Sequence, residues 1–154
     1  MAEDIRDAFF ETLYEIALKD CNVILLSDDQ GAFPLAKFKE KLRNRYFNVG
    51  IAEQNLISMA AGLALEGKKP FLYGISPFMT ARCYEQIRLD MSCMNLSVTI
   101  VGSGAGLTYG SDGPTHHATQ DVAIMRALPG MMILNPADAS TTRAAAKIAY
   151  QEPG

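Results

Sequence analysis

The sequence has few cysteines, little positive charge and no long apolar run, and each shortage excludes something. Its three cysteines, Cys21, Cys83 and Cys93, cannot all pair, and none has metal-ligand spacing. Buried free thiols in a reducing compartment are expected instead. Fourteen Lys and Arg against seventeen Asp and Glu give a formal charge of −3. That argues against a nucleic-acid partner. The amino terminus, Met1-Ala2-Glu3-Asp4, lacks the basic and apolar parts of a signal peptide. The longest apolar stretch, near Leu56 to Leu65, is too short to span a membrane and contains Ser58. Asn95-Leu96-Ser97 spells a glycosylation sequon, but without a secretion signal it reads as a chance match. A cytoplasmic protein with no membrane partner is expected.

What is present is ordinary for a folded domain: 154 residues, 49% hydrophobic and 20% charged. A single domain of this length buries roughly 70% of its unfolded surface, so it needs no disulfide or metal staple. Ile5, Phe9, Leu13, Ile16 and Ala17 recur at helical spacing. Val23-Ile24-Leu25-Leu26 is a continuous apolar run, as in a strand covered on both faces, and it ends in Ser27-Asp28-Asp29. A basic stretch from Lys37 to Arg45 reads as a solvated helical face, and Arg45 to Val49 as a short strand. A helix is expected over Glu53 to Leu65, punctuated by Gly67 and Pro70. Phe71 to Ile75 predicts a strand, Pro77 to Met94 a helix, and Leu96 to Val101 the clearest β-rich run. After a glycine-rich loop from Gly102 to Pro114, a helix over Thr119 to Leu128 and a last strand over Met131 to Leu134 are expected. Pro136-Ala137-Asp138 opens a final helix reaching about Tyr150. About five strands alternating with helices predict a parallel, three-layer α/β/α sheet. No repeat or linker divides residues 1–154. Such a sheet expects another strand after the last helix, so a shortened chain, a proteolytic fragment and a genuinely short subunit all fit.

Several familiar chemistries fail. Gly102-Ser103-Gly104-Ala105-Gly106 does not continue as G-x-G-x-x-G, because Leu107 takes the last position, and no Walker lysine follows. Val101 before Gly102 breaks the G-x-S-x-G elbow. Asp28-Asp29 suggests a phosphoacceptor, but Ile75-Ser76 and Asn135-Pro136 stand where its other acid and its lysine belong. His116 and His117 are adjacent, so they project differently, and no third ligand has suitable spacing. No metal site is expected in this chain.

Three polar points remain where strands hand over to loops: Asp28, Glu53 and the segment Asp112 to His117. Phe78 follows the strand ending at Ile75. A parallel sheet brings such loops to one edge, where ligands bind.

These points carry a family resemblance. Asn48-Val49-Gly50-Ile51-Ala52-Glu53-Gln54-Asn55 is similar to the junction holding the cofactor-activating glutamate of transketolase-like, thiamine-diphosphate-dependent enzymes. Ser76-Pro77-Phe78, with Ala81-Arg82-Cys83-Tyr84-Glu85-Gln86-Ile87-Arg88, resembles their aromatic-bearing junction. Asp112-Gly113-Pro114-Thr115-His116-His117, then Asp121, Arg126-Ala127-Leu128-Pro129 and Asn135-Pro136-Ala137-Asp138, is similar to their substrate loop and its sequel. The ordered set covers nearly the whole chain and points to the pyrimidine-binding domain. Deoxyxylulose-phosphate synthase shares much of it, but Tyr84 to Arg88 and the Pro136-Ala137-Asp138 helix start lean toward transketolase.

The resemblance implies that Glu53 is catalytic, sharing a proton with the cofactor's aminopyrimidine ring nitrogen so that the imino nitrogen can act as a base. It implies that Phe78 stacks on the pyrimidine, that Ile51, Ile75 and Asp28 lie against the cofactor, and that aliphatic Ile75 replaces a frequent aromatic. Asp112, His116 and His117 are implied to bind the sugar, His116 with a catalytic role at the carbonyl oxygen. Gly104 stands where many transketolases carry histidine and the synthase arginine, and Ala32 where a serine is common. A non-phosphorylated or unusual sugar fits those changes. The family's Gly-Asp-Gly segment and downstream asparagine, which hold Mg²⁺ and the diphosphate, have no counterpart here. The resemblance therefore implies a partner chain or domain carrying that site, a dimer or heterotetramer, and a third domain beyond Gly154. The leading expectation is an enzyme component for ketol transfer between sugars. A deoxyxylulose-phosphate-type synthase component and a non-catalytic small-ligand module are the alternatives.

Overall fold

The computed structural model describes residues 3–152. All five residues of β1 (Val23–Ser27) are buried, so this strand needs cover on both faces. Its side chains alternate accordingly. Val23 and Leu25 join Phe71 and Tyr73 in one core, while Ile24 and Leu26 join Leu72 in the other. With β2 (Tyr46–Asn48), β3 (Lys69–Ile75) and β4 (Thr99–Ser103) it forms a four-stranded parallel sheet in the order β2-β1-β3-β4. Ser27 pairs with both Asn48 and Tyr73, which brings the following loops to one edge.

The helices α1 (Ile5–Ala17), α2 (Leu35–Lys41) and α7 (Ala139–Gln151) cover the first face through Phe10, Leu13, Leu35, Phe38 and Ala146. Opposite them lie α3 (Glu53–Leu65), α4 (Ser76–Met79), α5 (Tyr84–Gln86) and α6 (Asp121–Met125), with Leu56, Ile57, Met79 and Met125 in the second core. This is the expected three-layer α/β/α fold. The chain steps from β1 to β2, then crosses back to lay β3 on the other side of β1. Right-handed crossovers in opposite directions put α2 and α3 on opposite faces. The β1–β3 boundary is therefore a topological switch point, whose carboxyl end forms a ligand crevice in such sheets.

Five expectations need correction. Met131 to Leu134 is not a strand: Met131 N–H donates to Leu128 O at 3.4 Å in the turn after α6, and the segment joins no ladder. Met131 and Ile133 still pack on the second core while Met132 and Leu134 are exposed, so it keeps a strand's alternation without its hydrogen bonds. The sheet among the described residues thus has four strands rather than five. The helix over Pro77 to Met94 breaks into α4, α5 and a π-helical stretch, Ile87–Ser92. Thr80 Oγ1 donates to Ser76 O at 2.7 Å and Cys83 Sγ to Phe78 O at 3.0 Å, so side chains take up carbonyls that a continuous helix would use. The helix expected over Thr119 to Leu128 contracts to α6, and the β-rich run starts pairing only at Thr99. Only Cys83 is buried. Cys21 and Cys93 sit in exposed turns next to β1 and the π-helical stretch. No helix among the described residues is long and apolar enough to cross a membrane.

Candidate active site

Asp28 leaves the end of β1 at the switch point and is 6% exposed. Its carboxylate rests against Gly74 of β3: a Cβ at position 74 would overlap Asp28 Oδ2 and come within 2.7 Å of Met79 Cγ. Glycine is needed here for close approach. Asp28 Oδ1 accepts from Gln30 N–H at 3.2 Å. Burial pushes the Asp28 carboxyl pKa up, the Gln30 bond opposes this, and the charge of Glu53 adds to the rise. Next to it, Asp29 adopts the left-handed region at φ 75°, and its Oδ1 accepts from Asn48 Nδ2 at 2.7 Å. That bond ties the loop after β1 to the end of β2.

Gly50, at φ 72°, turns the chain from β2 into α3, with Ala52 N–H donating to Gly50 O at 2.8 Å. Glu53 becomes the first residue of α3. It shares the inward stripe of Leu56, Ile57, Ala60 and Ala61, at helical spacing, and is 4% exposed. A carboxylate this buried needs a partner. Arg82 supplies one, donating from Nη1 to Glu53 Oε1 at 2.6 Å. The same guanidinium lies 4.0 Å from the centroid of the Phe78 ring. Phe78, in α4 just after β3, is half-buried and meets His116 edge-on at 5.0 Å.

The loop after β4 closes on itself through a bridge between Gly106 and Ala118. Gly104 has φ 83°, and the Tyr109 ring fills the space that a side chain at 104 would need. The Tyr109 hydroxyl donates to Ser103 Oγ at 3.3 Å, Ser103 Oγ to Gln30 Oε1 at 3.0 Å, and Gln30 Nε2 to Tyr109 Oη at 3.5 Å. This ring of bonds fixes the loops after β1 and β4 together. His116 Nδ1 lies 3.0 Å from Thr115 Oγ1, which sets the imidazole's orientation beside Phe78.

The structure thus brings Asp28, Glu53, Phe78 and His116 to one edge, the edge at which half-buried Ile75 ends β3. The other three predicted residues make no hydrogen bond to this cluster. His117 turns its Nε2 toward Gly110 O at 3.4 Å. Asp112 is exposed in a 3₁₀ turn, and Ile51 stands 78% exposed on the rim. Three residues at the site escaped the sequence reading: Arg82, Gln30 and Tyr109. Only Arg82 left a signal, the (i, i+4) spacing from Phe78. Among the described residues no cluster of three or more His, Cys, Asp or Glu could hold a metal ion.

Comparison with known proteins agrees with this fold. Residues 2–154 match the family described as the transketolase pyrimidine-binding domain. An apulose-4-phosphate transketolase subunit from Phocaeicola vulgatus is 38% identical over 151 residues, which are 96% of this chain and 48% of that protein. A 6-deoxy-6-sulfo-D-fructose transketolase subunit from a Clostridium species is 38% identical over 142 residues, 92% of this chain and 44% of its own. The solved structure described as a split-gene transketolase, an inactive β4 tetramer, superposes with a TM-score of 0.87 at 35% identity, covering 100% of this chain and 50% of that one. The chain spans about half the length of the curated relatives it matches. It belongs to the transketolase pyrimidine-binding-domain family.

Proposed function

We propose that this chain is the pyrimidine-binding component of a thiamine-diphosphate-dependent enzyme that transfers a two-carbon ketol unit between sugars. One observation carries the reading: a buried carboxylate and an aromatic face bracket a space that holds a flat N–H donor. The Arg82 guanidinium sits there, bonded to Glu53 and stacked on Phe78. An aminopyrimidine is also flat and, protonated on its ring nitrogen, donates an N–H, so the residues present fit that half of the cofactor.

The cofactor, when bound, would supply a weakly acidic C2–H and the nucleophilic carbon for ketol transfer. Glu53 is the group that would hold the proton shared with the aminopyrimidine ring nitrogen, from a position fixed by α3 and screened from water. Phe78 would fix the ring plane without competing for its hydrogen bonds, and Ile75 and Asp28 would close the base of the seat. His116, held by Thr115 beside Phe78, would donate to or accept from the substrate's carbonyl oxygen. Asp112 and His117 would address sugar hydroxyls. The Tyr109 ring packed on Gly104 leaves that wall without a cation, which favours a non-phosphorylated or unusual sugar.

The diphosphate and Mg²⁺ would be held by a partner chain or domain, in a dimer or heterotetramer in the cytoplasm. Exposed apolar side chains on the loops around the site, Phe33 at 84%, Ile51 at 78% and Leu107 at 63%, support a partner covering this edge. Ile51 would then reach the cofactor only in the assembled enzyme. The test is reconstitution with a chain carrying the Gly-Asp-Gly segment, followed by assay of ketol transfer with and without pyruvate. Transfer between sugars that Glu53→Gln abolishes supports the reading. Pyruvate decarboxylation would make it a synthase component. Transfer that Glu53→Gln leaves intact would reject the assignment of Glu53.

A further inference from the structure

We propose that Arg82 is a built-in occupant of the pyrimidine seat, which the cofactor must displace and which therefore sets cofactor affinity. The inference rests on the reading of the site given above. One guanidinium makes both contacts that the seat offers: Nη1 lies 2.6 Å from Glu53 Oε1, and the guanidinium carbon lies 4.0 Å from the Phe78 centroid. Arginine suits the place because its head is planar, donates several N–H bonds and stacks on aromatic faces. These are the features by which an aminopyrimidine would be held.

Arg82 is also placed to leave. Its side chain is 42% exposed while that of Glu53 is 5% exposed, so the arginine can swing to solvent and the glutamate cannot follow. Its base stays anchored, with Arg82 N–H donating to Pro77 O at 3.2 Å and Gln54 Nε2 donating to Arg82 O at 3.4 Å. The anchor lies between α4 and α5, where the helix is already broken, so swinging the arm disrupts no helical turn. In return, the arm keeps a buried carboxylate from standing unpaired while the seat lacks cofactor. The cofactor would replace one partner of Glu53 by another. A fixed ion pair that merely orients Glu53 would act the other way: its loss would weaken binding.

The test is calorimetric titration of thiamine diphosphate with Mg²⁺ into the cofactor-free complex of this chain and its diphosphate-binding partner. Arg82→Met, which removes the charge and the N–H donors, should lower Kd about tenfold, equivalent to about 1.4 kcal/mol. Arg82→Lys should lower it less, because an ammonium can still pair with Glu53 but cannot stack flat on Phe78. The lysine variant decides the matter should the methionine variant fold poorly. An unchanged or raised Kd in either variant overturns the proposal. Glu53→Gln and Phe78→Ala should raise Kd in the same titration. Failure of those two variants to do so would reject the site itself, a result distinct from failure of the arginine variants alone.

Discussion

Gly74→Ala gives a sharp test of how the site's floor is built. Position 74 lies within β3, paired with Gly102 of β4 and one residue past the last β1 pair, Ser27 with Tyr73. An added Cβ would overlap Asp28 Oδ2 and lie 2.7 Å from both Asp28 Cγ and Met79 Cγ. Asp28 is 6% exposed and Met79 is fully buried, so neither side chain has free space into which to move. Overpacking of this kind costs about 1–3 kcal/mol. In a domain of this size each kcal/mol shifts Tm by about 2–4 °C, so a fall of roughly 2–12 °C is expected. Gly62→Ala makes the same chemical change with the opposite result. Gly62 is exposed on α3 and a Cβ there meets nothing within 4 Å. Alanine for glycine inside a helix gains about 0.5–1 kcal/mol, so Tm should rise by roughly 1–4 °C. Thermal melts followed by circular dichroism read both. A Gly74→Ala melt within about 1 °C of wild type, or shifts of the same sign in the two variants, would refute this packing.

Two further outcomes follow from the same region. Because Asp28 is held above its ordinary pKa of 3.8 by burial and by Glu53, the fold favours its neutral form. The wild type's stability relative to Asp28→Asn is therefore greatest below that ordinary value and is lost as pH rises through the folded one. Urea unfolding between about pH 4 and pH 7 should show the asparagine variant gaining advantage with pH, and a shrinking advantage would contradict the assignment. Burial, with a further contribution from Glu53, pushes the Cys83 thiol up to about 12, whereas Cys21 and Cys93 are exposed. Alkylation of the native chain at about pH 8 should then stop at two labels by mass spectrometry, with the third added only on unfolding. Three labels added at similar rates would show Cys83 to be accessible.

How much of this was legible depended on whether local chemistry decided the outcome. The stripe through Phe9 and Leu13 and the buried run Val23 to Leu26 reported their own periodicity, and α1 and β1 formed there. That Glu53 opens a helix was readable because a strand, a glycine turn and an apolar helix follow one another within a few residues, whereas the role proposed for it came from the family resemblance. The break after α4 was not readable, since Thr80 and Cys83 open the helix by bonds that composition does not advertise. Met131 to Leu134 has a strand's pattern, and only the partner's hydrogen bonds are missing. The Glu53–Arg82 pair joins residues 29 positions apart, and the ring of Gln30, Ser103 and Tyr109 joins two loops and the end of β4. Contacts of that kind depend on strand order. Period and propensity do not encode it.

The central claim is that Glu53 activates the cofactor. The direct measurement is the rate of C2–H/D exchange of thiamine diphosphate bound to the reconstituted complex, followed by NMR after acid quench, for wild type and Glu53→Gln at saturating cofactor. A positioned acid–base group contributes about 10²-fold or more, so exchange in the glutamine variant should slow by at least that factor. Exchange at the wild-type rate in a fully loaded Glu53→Gln complex would contradict the claim and reduce Glu53 to a first-turn helix acid.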